Sequence, residues 1–287
     1  MGKRIGLVLG GGGSRGLAHI GVLKVLVREG IPIHFIVGTS MGGIVGALFA
    51  GGVTPDEIVA HVEALQHSQR LTLNHLFSAR ARQRTLEEWL EANLPVKQFE
   101  DLHLPLTVVA VDVVEGEEVT LSSGPLVPAL LATSAVPGMF PPVRRGDQLL
   151  ADGGVIDSLS THLGYRLGAD KVIAVDVYPP LEREHLWVDP LLAMTGLDLP
   201  FGLLGSVHDD TPGIVASLWR SSRVMAWHLH TTRLAAHAPD VLLRPAVESL
   251  GSFDFKDLER PIQAGIEEAE RALPALRALC DDSGSDN

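Results

Sequence analysis

An α/β fold, with a mainly parallel sheet flanked by helices on both faces, is predicted by three features of this 287-residue chain. Apolar runs rich in β-branched residues, at Ile5–Leu9, Ile33–Val37, Leu106–Val114 and Lys171–Val177, read as buried strands. Segments with helical spacing alternate with them, the order that covers a parallel sheet on both sides. Glycine clusters stand where the first two runs end and helices begin, a strand-turn-helix setting in which such glycines serve a site.

Leu17–Glu29 follows the first strand as a helix stopped by Gly30, and a second helix begins at Ser40 or Met41, directly after the second strand. Thr54-Pro55-Asp56-Glu57 is a capping box with proline at the first helical position, and it opens a helix that runs to about His67. Thr85–Glu88 repeats the box and predicts another start. Leu106–Val114, the turn residues Glu115-Gly116-Glu117 and Val119–Ser122 predict a hairpin. Leu149-Leu150-Ala151 is a short apolar run that ends at Asp152-Gly153-Gly154, and Lys171–Val177 carries Asp176 at its end. Ile214–Ala238 reads as one long helix, and Asp257–Leu279 as a closing amphipathic helix kinked near Pro274.

A chain that is 46% hydrophobic and 20% charged buries one substantial core, so residues 1–280 read as one domain followed by a polar tail, 281–287. The longest apolar stretches, such as Ile44–Val53, fall well short of the ~20 residues that span a bilayer. The start runs directly into the first strand without an apolar export region, which points to the cytoplasm. One cysteine, Cys280, excludes an internal disulfide. A net charge of −12 argues against nucleic acid as a partner and restricts any transient contact with a membrane surface to a local patch. His228 and His230 differ by two and face different sides of a helix, so no metal site is expected there.

Two glycine motifs carry the chemistry. Gly38-Thr39-Ser40-Met41-Gly42 places a serine at a sharp strand-to-helix turn, where Gly38 and Gly42 are small enough to lie close to it. The helix behind Ser40 points its free amides at any negative charge that develops on an attacked carbonyl, with the Met41 N–H as the first donor. Gly11, Gly12 and Gly13 supply a second set, since backbone without side chains can turn its N–H groups toward one point. Arg15 adds a positive charge and Gly16 closes the motif. The same glycines satisfy a dinucleotide fingerprint, but the second strand ends in Gly38-Thr39-Ser40 instead of the acidic residue that would hold a ribose. A phosphate-binding Walker loop is excluded because no Gly-Lys-Ser/Thr follows.

A serine hydroxyl needs a base. The later histidines, His162, His185, His208, His228, His230 and His237, lie in helix-like or unpatterned contexts, and none has a distinctive strand-end setting. Asp152 does. An apolar site would raise its pKa and make it a better proton acceptor, and Gly153 and Gly154 let another backbone approach it. On pattern alone, Asp152 equally opens an Asp-Gly turn. Asp176 is a second strand-end carboxylate, which either serves a site or caps a loop.

Four blocks together resemble the patatin-like phospholipase family, in its bacterial single-domain form. Gly11–Gly16 is similar to the family's glycine-rich oxyanion motif, Gly38–Gly42 to its nucleophile elbow, Ser134–Pro142 to its Ser-Ala-x-Pro segment, and Asp152-Gly153-Gly154 to its catalytic Asp-Gly-Gly. The resemblance covers almost the whole chain. It implies a lipid acyl hydrolase with a Ser40–Asp152 dyad, no histidine and no cofactor, in which Ser40 is acylated and the glycine loop holds the oxyanion. Where the family commonly continues to Asn and Pro, this chain has Ser158 and Ser160. A non-catalytic lipid-binding or regulatory member is the alternative. Arg15 either orients the loop, the preferred role, or meets a lipid phosphate. The segment 179–212, with Trp187, Phe201 and several leucines among aspartates, reads as a lid or insertion over lipid, or as side chains packed on the body. The packed reading is preferred because its carboxylates would meet anionic headgroups unfavourably.

Overall fold

The computed structural model describes residues 2–67, 78–181, 213–252 and 255–280. In chain order these form β1 (Ile5–Leu9), α1 (Ala18–Arg28), β2 (Phe35–Thr39), α2 (Met41–Ala50), α3 (Pro55–His67), α4 (Ala79–Asn93), β3 (Leu106–Asp112), β4 (Glu117–Leu121), α5 (Leu126–Thr133), β5 (Val143–Arg145), β6 (Gln148–Asp152), α6 (Thr161–Arg166), β7 (Lys171–Val175), α7 (Ile214–Ala236), β8 (Val241–Leu243), α8 (Glu259–Arg271) and α9 (Leu273–Cys280). The segment 182–212, which holds most of the expected lid or insertion, and the tail 281–287 lie outside the described residues.

The strands form one sheet in the order β5-β6-β3-β2-β1-β7-β8, with β4 paired to β3 beside this path. From β3 to β8 the neighbours are parallel, and β4 and β6 run antiparallel to β3. Side-chain alternation splits the core in two. Ile5, Leu7, Leu9, Ile36, Leu106 and Val108 pack on one face with α1 and α2, and Val8, Phe35, Val37, Val109, Val172 and Ala174 pack on the other with Leu163 of α6 and Leu234 of α7. Burial on both faces accounts for the apolar strands and confirms the expected architecture.

One detail of pairing positions the site. β4 lies along one edge of β3, while the other edge is shared: β2 pairs with Leu106–Val109 and β6 takes over at Ala110. Thr39 is opposite Val109 and Asp152 is opposite Ala110, so the end of β2 meets the end of β6 head-on. Residues 112 positions apart in the chain thereby become neighbours: Ser40 follows Thr39, and Asp152 closes β6.

Several local expectations shift. The Thr54 box forms as read, with Glu57 accepting the Thr54 N–H at 2.8 Å. The second box does not start a helix, because Ser78 Oγ already accepts the Ala81 N–H at 3.2 Å and α4 runs from Ala79 through Thr85. Leu17 belongs to a 3₁₀ turn, Gly13–Leu17, that leads into α1. The closing helix is two helices meeting at Ala272, just before Pro274, and β5 was not foreseen. Among the described residues, no helix is long and apolar enough to cross a membrane.

Candidate active site

The carboxyl ends of β1, β2 and β7 open onto one edge of the sheet, where ligands sit in open α/β folds. Ser40 lies there at the start of α2 with φ 54° and ψ −122°, and it is the only described residue other than glycine with a positive φ. Backbone strain of this kind costs ~1–3 kcal/mol and persists only when the surroundings enforce it. Here they do. The Ser40 N–H donates to Thr133 Oγ1 at 2.9 Å, and that hydroxyl in turn donates to the Val109 carbonyl. A β-carbon on Gly42 would stand 2.2 Å from the Leu9 carbonyl oxygen, so α2 can press against the end of β1 only through glycine. Gly38 abuts Gly43 in the same way, and Gly16 gives room to the Met41 side chain.

The expected amide donors divide. The Gly11 N–H is committed to the Ser158 carbonyl at 2.8 Å, and the Gly10 N–H to Val175 at 3.1 Å. Among the described residues, no acceptor is bonded to the N–H groups of Gly12, Gly13 or Met41. Gly13 holds φ +59°, and a β-carbon there would fall 1.9 Å from the Ser252 carbonyl oxygen. The same segment anchors the loop. Ser14 N–H and Oγ donate to the carbonyls of Ser252 and Gly251 at 2.8 and 2.7 Å, and Arg15 Nη1 donates to Ser252 Oγ at 2.9 Å. Arg15 thus ties the glycine loop to the distant residues 251–252.

Asp152 and Ser40 are 5% and 7% exposed, almost sealed but not cut off from solvent. The Asp152 N–H donates to Ala135 at 3.1 Å, and its Oδ1 accepts the Gly154 N–H at 2.7 Å. Burial pushes the carboxyl up to about 6, against the hydrogen bonds of the Ser40 side chain and the Gly154 amide, which favour the charged form. Gly153 sits so close to the Val109 carbonyl that a β-carbon would be 2.5 Å from it. Asp152 therefore opens the turn and also lies in contact with the Ser40 side chain.

Behind the loop, Asp176 belongs to a buried group whose assembly the sequence did not reveal. Ser158 Oγ is 3.4 Å from His230 Nδ1, and His230 Nε2 is 3.2 Å from Asp176 Oδ2, which also receives Arg244 Nε at 3.3 Å. Burial raises the Asp176 carboxyl, but the His230 hydrogen bond and charge, with the Tyr178 amide and Arg244, outweigh it and hold the group below its ordinary value. The set does not touch Ser40; it supports the Ser158 carbonyl that receives Gly11. His19 is fully buried, which pushes its pKa down to about 4, and its neutral Nε2–H donates to the Gly10 carbonyl at 2.7 Å. The strand-end position of Asp176 was the only signal of this group; His230, 54 residues away in the chain, offered none.

A strained serine elbow, a glycine loop and a buried carboxylate at one sheet edge define an α/β protein of the serine-elbow class. The chain belongs to the patatin-like phospholipase family, whose family model matches residues 7–164. An uncharacterized NTE family protein of Mycobacterium tuberculosis is 30% identical over 96% of this chain and 47% of its own length. Lysophospholipase NTE1 of Coccidioides immitis is 35% identical over 96% of this chain and 18% of its own. The chain thus spans about half or less of the length of these relatives. The crystal structure of VipD from Legionella pneumophila shares the fold, with a TM-score of 0.50 and 14% identity over 96% of this chain and 67% of VipD.

Proposed function

We propose that the chain is a lipid acyl hydrolase that works through an acyl-Ser40 intermediate. The observation that carries this reading is the contact of Ser40, strained at its turn, with a buried carboxyl whose pKa is raised to about 6. Such a carboxylate is ionised at neutral pH yet basic enough to take a proton. In acylation the Ser40 hydroxyl proton passes to Asp152 while Oγ bonds to the ester carbonyl carbon. The resulting oxyanion faces the unbonded amides of Gly12, Gly13 and Met41. The bond to the leaving alcohol then breaks, and the alcohol departs with the proton from Asp152. Water attacks the acyl-enzyme by the same route in reverse, giving its proton to Asp152 and releasing the fatty acid and the Ser40 hydroxyl. No cofactor enters the cycle.

Gly11 acts differently in this reading: its amide is already bonded, so it positions the loop while its neighbours bind the oxyanion. Phospholipid, lysophospholipid, acylglycerol and thioester all present the same carbonyl. Family membership, and a relative named lysophospholipase, support putting lysophospholipids in the first substrate panel. The test is hydrolysis of a medium-chain p-nitrophenyl ester and a phospholipid panel, alongside labelling by a fluorophosphonate. Wild type should turn over and label, and Ser40→Ala should do neither. A folded wild type that does neither makes the chain a binding or regulatory protein.

A further inference from the structure

Residues 10–13 are four consecutive glycines, and a run without β-carbons has little conformational preference of its own, so the order of this loop has to be imposed from outside it. Its far end is tied at Ser14, which bonds residues 251 and 252. Its near end is tied at a single peptide unit. The carbonyl of that unit, on Gly10, accepts His19 Nε2–H at 2.7 Å, and its N–H, on Gly11, donates to the Ser158 carbonyl at 2.8 Å. The two groups of a trans peptide point in opposite directions, so the 10–11 plane is held from both sides. It lies beside the nucleophile: a β-carbon on Gly11 would stand 3.4 Å from Ser40 Cβ.

Each anchor is fixed in turn by a buried histidine. His19, in the first turn of α1, is the direct one, and its Nδ1 bonds nothing among the described residues, so the single N–H of the neutral ring goes to Gly10. His230 is the indirect one. Its Nδ1 is 3.4 Å from Ser158 Oγ, its Nε2 is 3.2 Å from Asp176 Oδ2, and Tyr178 stacks on its ring with centroids 4.7 Å apart. With these nitrogens engaged away from Ser40, neither histidine is a base for its hydroxyl.

We propose that His19 and His230 are positioning residues that clamp the 10–11 peptide, His19 through the Gly10 carbonyl and His230 through Ser158, and so keep the Gly12 and Gly13 amides aimed at the oxyanion. A peptide between two glycines rotates with little steric resistance, and without the clamp those amides spend part of their time pointing elsewhere. Donors that are not preorganised stabilise the transition state less, while ground-state binding of the ester changes little. The loss is therefore one of kcat. The proposal rests on the acyl hydrolase reading for this effect on rate, and not for the clamp itself.

The test combines ester kinetics with exchange of the Gly11 amide for deuterium, followed by NMR. His19→Leu fills the space without a donor, whereas His19→Gln places an amide N–H where Nε2–H stands. On a water-soluble p-nitrophenyl ester, kcat per folded molecule should fall about 100-fold in His19→Leu with KM within about threefold, and His19→Gln should recover to within about tenfold of wild type. Ser158→Ala and His230→Leu should each lower kcat about tenfold, and the double variant should fall no further, since both remove one bond. Gly11 exchange should be about tenfold faster in His19→Leu and in Ser158→Ala. In an active enzyme the proposal requires both changes, and either without the other overturns it, as does a His19→Gln as impaired as His19→Leu. Should His19→Leu fail to fold, Ser158→Ala decides, because it removes only a hydroxyl: a wild-type kcat or wild-type Gly11 exchange there overturns the proposal. If wild type hydrolyses no ester but Gly11 exchange responds as expected, the clamp stands and the hydrolase reading fails.

Discussion

Asp152 and Asp157 lie five residues apart on one loop, both buried, yet they are opposites in charge chemistry. No cationic side chain is bonded to Asp152 among the described residues, and burial drives its carboxyl up to about 6. Asp157 is as deeply buried, but His162 Nδ1 lies 3.4 Å away, Arg233 Nη1 3.3 Å away, and the Leu159 amide donates at 3.1 Å. Those partners outweigh burial and hold Asp157 below its ordinary value. Burial therefore does not by itself raise a carboxyl above its ordinary value; burial without a compensating cation does. Asp176, with His230 and Arg244, belongs with Asp157.

The largest effect expected from this contrast is on rate. Asp152→Asn keeps an acceptor for the Gly154 amide but removes the base, and ester turnover should fall about 10³-fold with the fold intact. If the rate falls less than tenfold, another group takes the Ser40 proton and the contrast loses its functional meaning. Asp157→Ala should do the reverse. His162 also lies 3.0 Å from Glu118, and Arg233 3.6 Å from it, so removing Asp157 unbalances a network that ties β4 and α6 to α7. Breaking a partly buried pair of this kind costs about 3 kcal/mol, readable as a lower urea midpoint. Turnover per folded molecule should change little.

The elbow, the glycine loop and Asp152 were legible in the sequence because each depends on local backbone demands that only a few residue types meet. Gly42 against Leu9 and Gly13 against Ser252 show why those positions allow no side chain. The meeting of Ser40 with Asp152 was legible only through family resemblance, since it arises from β2 and β6 sharing one edge of β3, a non-local pairing that no short pattern encodes. Thr133, which holds the Ser40 amide, and His230, under Ser158, were invisible for the same reason. The start of α4 was misplaced because Ser78 caps it ahead of the Thr85 box. Gly11 looked like an amide donor until its partner, the Ser158 carbonyl, was in place.

Asp152 and His162, the partner of Asp157, also predict pH windows of opposite sign. Turnover needs Asp152 ionised, so it should rise with pH through a midpoint of about 6 and flatten above. His162, bonded first to Asp157 and then to Glu118, is raised from 6.5 to about 9. A group raised on folding contributes stability that is complete below its unfolded value and lost as pH rises through the folded one. Stability should therefore decline between pH 6.5 and about 9, where turnover is already flat. His162→Gln should remove that decline without moving the midpoint in rate, as paired pH profiles of turnover and melting temperature would show.

The smallest effect cuts closest to the contrast. The Asp152 carboxyl is raised from 3.8 to about 6, so the folded state holds its proton more tightly than the unfolded chain does. Any stability from that proton is present below pH 3.8 and lost as pH rises through about 6, leaving a buried negative charge without a cation at neutral pH. Asp152→Asn removes this charge while keeping shape and acceptor, and should stabilise the protein by about 2 kcal/mol at pH 8. Near pH 4 the advantage should vanish. Denaturant midpoints of wild type and Asp152→Asn at both pH values measure the difference directly. A variant that is inactive yet more stable at pH 8 would mean that the uncompensated charge is kept for chemistry and against stability. A variant less stable than wild type at pH 8 would place Asp152 with Asp157, as a carboxylate that holds its loop together.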